Sequence, residues 1–269
     1  MKSIKIKNVT LGPGKPRIAV PVTGTSHEEI IRQVREIIKG PCDILEWRAD
    51  YYFGAAENID EKVARTEAHM EMIRILDDIE YVAGEKPLIF TIRGHGEGGR
   101  VRMNREHIFD LASMAAQSRL VDMVDVQMFN DDDTLDSDDL AAHIRELHEF
   151  GAKVILSYHD FSRMLSREEI VNVAASMRSL GADIVKLACV AETLEEAKLM
   201  QEAAAELTKG DQNPVIMVAM GEKGKATRIT GGAYGSCISF ARGEEATAPG
   251  QIDAYTLSKY LDKYYESSI

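Results

Sequence analysis

Apolar and polar positions follow two alternating patterns along this chain. Short runs of mostly apolar residues recur at near-regular intervals and are typical of strands that are buried on both faces. Longer segments between them space their apolar residues three or four positions apart, which indicates amphipathic helices. The pattern predicts eight strands, at residues 17–22, 42–48, 87–93, 121–128, 153–159, 183–189, 214–220 and 235–240.

A helix is predicted after each strand. Ser26 followed by Glu29, and Ser166 followed by Glu169, have the spacing of a capping box that starts a helix. Gly151 stands where a later helix pattern stops. The helices are predicted near residues 27–39, 61–82, 105–119, 137–150, 167–180, 193–208, 223–232 and 252–265.

Eight strand and helix pairs in strict alternation predict an α/β fold, the (β/α)8 TIM barrel. Residues 4–9 alternate in polarity and are followed by the turn sequence Gly12-Pro13-Gly14. We therefore expect a short N-terminal β-hairpin within residues 1–15 that closes the barrel floor. No Pro/Ser-rich linker or low-complexity tract interrupts the chain, so residues 1–269 are expected to form a single domain.

Charge and cysteine content narrow the possible partners and the compartment. The formal net charge of -12 argues against nucleic acid or an anionic membrane as partner, but leaves room for a local arginine cluster that binds an anionic small molecule. No apolar run reaches the roughly 18 residues of a membrane span, and no export signal is predicted. The cysteines form no CxxC pair and are expected to be buried free thiols in a reducing cytoplasm: Cys42, Cys189 and Cys237.

Lys186 lies within the apolar run 182–190, where an ammonium group is poorly solvated. Burial of a lysine favours its neutral amine, which can attack a carbonyl carbon. The alternative is a lysine at a strand edge whose side chain extends to solvent.

Polar residues are concentrated at the carboxyl ends of the predicted strands, where the active site of such a barrel lies. The period of two places Glu46 and Arg48 on the same face as Ile44. A layer of salt bridges that plugs the barrel is the structural alternative. The residues predicted at this rim are Glu46, Arg48, Arg93, Asp125, Gln127, Ser157, His159, Lys186 and Met220.

His159 at the end of the fifth strand is a candidate general acid and base, and a hydrogen-bonded core histidine is the alternative. The other six histidines are expected at the surface. The glycine-rich segment 94–99 lacks a Walker lysine and a dinucleotide fingerprint, so it is interpreted as a flexible rim loop that positions Glu97. The aspartates of 131–133 and 136–139 are interpreted as a solvated loop that enters a helix. No spacing of His, Cys and acidic residues suits a metal, and no metal or cofactor is predicted.

Several segments, in order and over nearly the whole chain, resemble the type I 3-dehydroquinate dehydratases, the Schiff-base enzymes of the shikimate pathway. They are Glu46-Trp47-Arg48, Arg93 with Glu97-Gly98-Gly99, residues 157–161 (SYHDF), residues 181–186 (GADIVK) and residues 248–251 (APGQ). The resemblance implies the same barrel, commonly a homodimer, and a hydro-lyase that converts 3-dehydroquinate to 3-dehydroshikimate.

The resemblance also implies a role for each candidate residue. Lys186 would form an imine with the C3 carbonyl of the substrate, and His159 would take the C2 proton and later return a proton to the departing hydroxyl. Glu97 would orient His159, and Arg228 would bind the carboxylate. Thr247 and Gln251 would belong to the segment 242–251 that closes over the substrate. The residues expected to bind the ring hydroxyls are Glu46, Arg48 and Arg93.

Two positions depart from the pattern of the family. Gln127 stands where related sequences more often have glutamate, which leaves open how the charge beside Lys186 and His159 is balanced, and Cys189-Val190-Ala191 replaces a common Met-Pro. Two rival functions remain: a class I aldolase or transaldolase, which has less need for Arg228 and the closing segment, and a catalytically silent barrel that acts as a binding module.

Overall fold

Eight parallel strands form the central sheet of the protein. The computed structural model describes residues 1–55, 66–132 and 134–266. The strands are Arg17–Val22 (β3), Ile44–Arg48 (β4), Leu88–Thr91 (β5), Met123–Gln127 (β6), Lys153–Asp160 (β7), Ile184–Val190 (β8), Val215–Met220 (β9) and Ile238–Phe240 (β10). Their order in the sheet is β10-β3-β4-β5-β6-β7-β8-β9. A parallel bridge between Val215 and Ser236 connects β9 to the segment before β10.

Helices alternate with these strands, and the predicted (β/α)8 TIM barrel is confirmed. The Ser166 capping box is present, with Glu169 as the reciprocal partner, and Ser26 caps the first helix through the backbone N–H of Glu29. The bounds are His27–Ile37 (α1), Ala49–Gly54 (α2), Thr66–Ala83 (α3), Arg105–Gln117 (α4), Ser137–Glu149 (α5), Arg167–Ser179 (α6), Leu194–Leu207 (α7), Thr227–Thr230 (α8) and Ala254–Glu266 (α9).

The alternation of side chains along each strand produces two apolar layers. On β4, Ile44 belongs to the layer inside the barrel, whereas Leu45 and Trp47 pack in the layer between sheet and helices. Trp47 is fully buried and makes an edge contact with Phe90 at 5.5 Å between ring centroids. Burial of a side chain of this size contributes about 1.5–3 kcal/mol. Because the period of two is maintained, the remaining inward positions of β4 carry Glu46 and Arg48.

The N-terminal hairpin consists of β1 (Ile4–Ile6) and β2 (Val9–Leu11). Ile6, Val9 and Leu11 pack with the apolar layer inside the barrel, so the predicted hairpin at the barrel floor is present. Its turn is formed at Lys7, which has a positive φ of 48°, and not by Gly12-Pro13-Gly14, which follow the second strand.

Some elements differ from the prediction. The helix expected at 223–232 is reduced to α8 and a 3-10 turn, Gly231–Tyr234, and β10 has only three residues. Gly224 permits the turn before α8, since a Cβ at this position would come within 2.0 Å of the Ala219 carbonyl oxygen. Helix α2 was not predicted. Residues 61–65 of the predicted helix 61–82, and Asp133 of the acidic run, lie outside the described residues.

Burial of side chains confirms one sequence prediction and corrects another. The three cysteines are buried free thiols. His143, predicted at the surface, is buried, because the packing of α4 against α5 stacks its ring on Phe109 with 3.9 Å between centroids. Within the described part of the chain, no helix is both long and apolar enough to cross a membrane.

Candidate active site

The carboxyl ends of the strands converge on one small cavity of about 50 Å³. All nine site residues predicted from the sequence line it: Glu46, Arg48, Arg93, Glu97, His159, Lys186, Arg228, Thr247 and Gln251. Phe161, Phe240 and Ala248 also line the cavity and were not proposed as site residues. Charged groups at such a position are expensive to bury, so the partners of each one decide what the site can do.

Lys186 projects from the middle of β8 into the barrel and is only 6% exposed. Its Nζ donates to Asp125 Oδ2 at 2.7 Å and lies 4.5 Å from the centre of the Phe240 ring. The lysine therefore does not extend to solvent. It is held between a carboxylate and an aromatic face at the bottom of the cavity.

Asp125 balances the positive charges of the site. Besides Lys186, it accepts hydrogen bonds from Arg93 Nη2 and Ser157 Oγ, both at 2.6 Å. Burial alone would raise the pKa of Asp125, but the charges of Arg93 and Lys186 hold this pKa far below its usual range. The sequence placed Asp125 at the rim but gave it no role. The signal was its inward position on the strand between those of Arg93 and Ser157.

His159 and Glu97 form a buried pair. His159 Nδ1 lies 2.7 Å from Glu97 Oε2, and the backbone N–H of His159 donates to the same oxygen at 3.1 Å. Burial, followed by the charges of Arg93 and Lys186, lowers the pKa of His159 well below its usual value. Burial also raises the pKa of Glu97 to about 8, against the charge of Arg93. A neutral imidazole whose Nδ1–H donates to Glu97 has Nε2 free to accept a proton.

The backbone of the glycine-rich segment is held in place. Glu97 lies in a 3-10 turn, Gly94 N–H donates to Gln127 Oε1 at 3.2 Å, and Gly96 N–H donates to Asp131 Oδ1 at 3.1 Å. Gly99 permits a close approach, since a Cβ there would lie 1.8 Å from the Arg93 carbonyl oxygen. These contacts hold the segment that carries Glu97 beside His159, and its flexibility in solution stays a prediction. Gln127 bonds this loop and not Lys186 or His159.

Glu46 and Arg48 lie at the end of β4. Glu46 Oε1 accepts a hydrogen bond from Thr91 Oγ1 at 3.0 Å. Arg48 makes a bidentate ion pair with the fully buried Asp50, with Nε to Oδ1 at 2.7 Å and Nη2 to Oδ2 at 2.8 Å. Asp50 comes from the unpredicted helix α2 and fixes the plane of the guanidinium group.

Arg228 is a buried guanidinium group that no carboxylate of the described residues pairs with. It is 5% exposed, and it donates to the carbonyl oxygens of Phe240 at 3.3 Å and Pro249 at 3.0 Å. Its Nε is buried without a hydrogen-bond partner in the described part of the chain. Burial lowers the pKa of Arg228 to about 10. The cavity thus contains a cationic group that is suited to an anionic ligand.

Thr247 and Gln251 close the remaining side of the cavity. Gln251 Oε1 accepts from the backbone N–H of Thr247 at 2.7 Å, and Gln251 Nε2 donates to Thr247 Oγ1 at 3.0 Å. Their segment is fastened to α1 by the ion pair of Glu244 with Arg32. No group of three or more potential metal ligands occurs among the residues that the structure describes.

The model of the family "Type I 3-dehydroquinase" matches residues 18–268. The chain belongs to this family. The match covers nearly the whole barrel and is not confined to one motif. The strand bearing Lys186, the one bearing His159 and the segment bearing Arg228 all fall within the match.

Individual relatives agree with this assignment. The chain is 32% identical over 267 residues to 3-dehydroquinate dehydratase of Clostridioides difficile, with 99% of this chain and 98% of the relative covered. It is 33% identical over 269 residues to that of Alkaliphilus oremlandii, with 98% of each chain covered.

Solved structures of the family have the same fold. The type I 3-dehydroquinate dehydratase of Clostridium difficile with covalently modified comenic acid is 30% identical, with a TM-score of 0.87 and 99% of this chain and 98% of that chain covered. The 3-dehydroquinate dehydratase of Geobacillus kaustophilus is 27% identical, with a TM-score of 0.89 and 100% and 98% covered.

Proposed function

We propose that this type I 3-dehydroquinase dehydrates 3-dehydroquinate to 3-dehydroshikimate through an imine on Lys186, without a metal or cofactor. The observation that carries the proposal is the convergence of three groups on one cavity: a buried lysine, a neutral histidine and an arginine that pairs with no carboxylate of the described residues. Each supports one requirement of the reaction: the lysine supplies an amine that forms the imine, the histidine supplies a base, and the arginine supplies an anchor for the carboxylate.

The imine makes the C2 proton removable. The Lys186 amine attacks the C3 carbonyl carbon, and the carbonyl oxygen leaves as water. The resulting iminium accepts the electron pair of the C2–H bond as His159 Nε2 takes the proton, giving an enamine. The C1–O bond then breaks, His159 returns its proton to the departing hydroxyl, and water hydrolyses the imine to free the lysine and the product.

Asp125 supports the two cationic states of Lys186. Before the reaction it pairs with the ammonium group at 2.7 Å, so Lys186 must lose a proton before it attacks. The iminium carries the same positive charge, and Asp125 remains beside it without moving. Because the carboxylate is fixed by Arg93 and Ser157, this stabilisation requires no reorganisation during the reaction.

Glu97 is proposed to orient His159. One oxygen of Glu97 accepts from both the ring and the backbone of His159, which fixes the ring in its plane. A single group that acts first as base and then as acid works best with a pKa near the working pH. The charge of Asp125 opposes the effect of burial on the pKa of the imidazole.

The remaining residues are proposed to bind the substrate. The planar fork of Arg228 fits a carboxylate, and its Nε is a donor without a partner in the part of the chain that the structure describes. Thr247 and Gln251 would exchange their mutual hydrogen bond for bonds to the ligand as the segment closes. The residues proposed to bind the ring hydroxyls are Glu46, Arg48 and Arg93.

We infer three further properties that the family resemblance and the sequence support. Residues 1–269 form one domain, the protein acts in the cytoplasm, and it is a homodimer. Sedimentation equilibrium tests the last inference, with a mass of twice 29.8 kDa as the expected result.

The function is tested by incubation with 3-dehydroquinate while the absorbance of the conjugated enone is followed. Wild-type protein should produce the rise, and Lys186→Met should abolish it. Lys153→Met is the matched control, because Lys153 lies on the neighbouring strand in an ion pair with Asp183, away from the cavity. A wild-type protein without turnover, or a fully active Lys186→Met variant, would contradict the proposal.

A further inference from the structure

Residues 243–251, here called the closing loop, leave the barrel and return to it at the same place. The backbone N–H of Arg242 donates to the carbonyl oxygen of Ile252 at 2.8 Å, and Arg242 forms a parallel bridge with Asp253. The residues between these joined ends belong to no helix or strand, and Thr247 and Gln251 bond each other across the loop. A loop of this form can move as a unit about its closed ends.

The cavity beside this loop is smaller than a ligand needs. Its volume is about 50 Å³, whereas pockets that bind small molecules measure about 300–1,000 Å³. The strands that carry His159 and Lys186 are hydrogen-bonded to neighbouring strands on both sides and cannot give way. Thr247, Ala248 and Gln251 of the closing loop form another wall of the cavity. The loop must therefore lift for the substrate to enter, and return for Thr247 and Gln251 to reach it.

On one side, the closing loop contacts the barrel through the carbonyl oxygen of Pro249. This oxygen accepts from the backbone N–H of Gly221 at 3.2 Å and from Arg228 Nη2 at 3.0 Å. Arg228 is also the group proposed to bind the carboxylate of the substrate. This contact of the loop therefore depends on the state of the binding site.

On the other side, the loop is held by the carboxylate of Glu244. Arg32 of α1 binds it with both ends of its fork, with Nη1 to Oε1 at 2.5 Å and Nη2 to Oε2 at 2.8 Å. Gln33 Nε2 donates to the same Oε2 at 3.2 Å. Gln33 is only 3% exposed, and its Oε1 accepts from the backbone N–H of Thr23, just after β3, at 2.8 Å. Glu244 is thus bonded both to an exposed guanidinium group and, through a buried amide, to the end of a barrel strand.

We propose that Glu244 is a positioning residue, which latches the closing loop over the cavity through Arg32 and Gln33. The inference rests on the proposed function, because closure matters for turnover only if the loop brings Thr247 to the substrate. Glu244 does not line the cavity, so it acts through the loop and not on the ligand. An exposed ion pair and one hydrogen bond favour the closed loop and are still weak enough to break at every turnover.

The latch is tested with Glu244→Ala, and Glu245→Ala is the matched control. Glu245 is the next residue, equally exposed, and makes no ion pair or hydrogen bond within the described chain. Hydrogen exchange of the Gly221 amide, which the closed loop bonds through Pro249, reports the lifting of the loop without substrate. In Glu244→Ala this exchange should be faster by about twofold to tenfold, and KM for 3-dehydroquinate should rise by a similar factor with less change in kcat. Glu245→Ala should match the wild type in both measurements.

An exchange of partners tests the contact itself. Gln33→Glu keeps the acceptor for the Thr23 N–H but sets a second carboxylate against Glu244, so the loop should open more often and KM should rise. Adding Glu244→Gln to this variant restores one donor and one acceptor across the contact, and KM and the exchange of Gly221 should return toward wild-type values. A purely structural role of Gln33 in the core would not be rescued by a change in the loop.

Several results would overturn the latch. They are unchanged KM or Gly221 exchange in Glu244→Ala, the same changes in Glu245→Ala, and no recovery in the double variant relative to Gln33→Glu. A wild-type protein without turnover would instead refute the proposed function. The exchange of Gly221 is measured without substrate, so the two failures are distinguishable.

Discussion

Replacement of Arg228 by methionine removes a buried cation of the cavity that has no acidic partner among the described residues. Arg228 is 5% exposed, and its two contacts with the carbonyl oxygens of Phe240 and Pro249 hold the guanidinium group in a fixed plane. Methionine keeps much of the apolar volume, so the main loss is the charge and its donors. We expect the fold to be kept and the substrate carboxylate to lose its anchor.

The size of the effect follows from the type of contact. Loss of a buried, charge-assisted pair costs about 2–5 kcal/mol, and about 1.4 kcal/mol corresponds to a factor of ten. The ratio kcat/KM should therefore fall between about 30-fold and 5000-fold. KM should rise because binding is lost, and kcat should fall because C2 is no longer aligned with His159. The kcat/KM of Arg228→Lys should lie between those of Arg228→Met and the wild type, since lysine keeps the charge but not the planar fork.

The assay is steady-state formation of the conjugated enone from 3-dehydroquinate. Arg178→Met is the matched control. Arg178 also donates to backbone carbonyl oxygens, of Leu207 at 2.7 Å and Asn213 at 3.5 Å, and its Nε is also buried without a partner in the described chain, but it does not line the cavity. An Arg228→Met variant within about threefold of wild type, or an equal loss in Arg178→Met, would refute the role of Arg228.

Three further predictions concern buried titratable groups. Asp125→Asn leaves Lys186 without its carboxylate partner and Arg93 with Glu97 alone, so the urea unfolding free energy should fall by about 3–5 kcal/mol, and an unchanged value would show that the charges are balanced elsewhere. His159→Ala should still form the imine on Lys186 but lose about 100-fold to 10,000-fold in elimination, and near-normal turnover would assign the proton to another residue. The folded pKa of His143, about 4, lies below its unfolded value of about 6.5, so the unfolded state binds more protons between these values. Stability should therefore be lost as pH falls through this window, by at most roughly 3 kcal/mol, and His143→Phe should flatten the slope; an equal slope in both proteins would contradict this assignment.

The barrel and its inward-facing polar positions were predictable because they depend on local periodicity. On β4 the period of two alone assigned Ile44 and Glu46 to the inside and Leu45 to the outside. The short α8 was not predictable, because it depends on the close approach of Gly224 to the Ala219 carbonyl, a contact between separate segments.

The charge balance of the site could not be read from the chain either. That Asp125 neutralises Lys186 depends on the pairing of β6, β7 and β8, which brings side chains from three strands together. The sequence also could not show that Arg228 pairs with no carboxylate of the described residues, because this depends on which segments surround it. His143 was wrongly assigned to the surface, although the spacing of Leu140, Ile144 and Leu147 places it on the buried face of α5.

Reduction with borohydride in the presence of 3-dehydroquinate tests the imine on Lys186 most directly. Hydride converts the C=N bond of a substrate imine to a stable amine, which fixes the ligand to the nitrogen that formed it. The account predicts irreversible inactivation and the added mass on the peptide that contains Lys186, with neither in Lys186→Met. Inactivation with the mass on another lysine, or turnover that borohydride and substrate together leave intact, would contradict it.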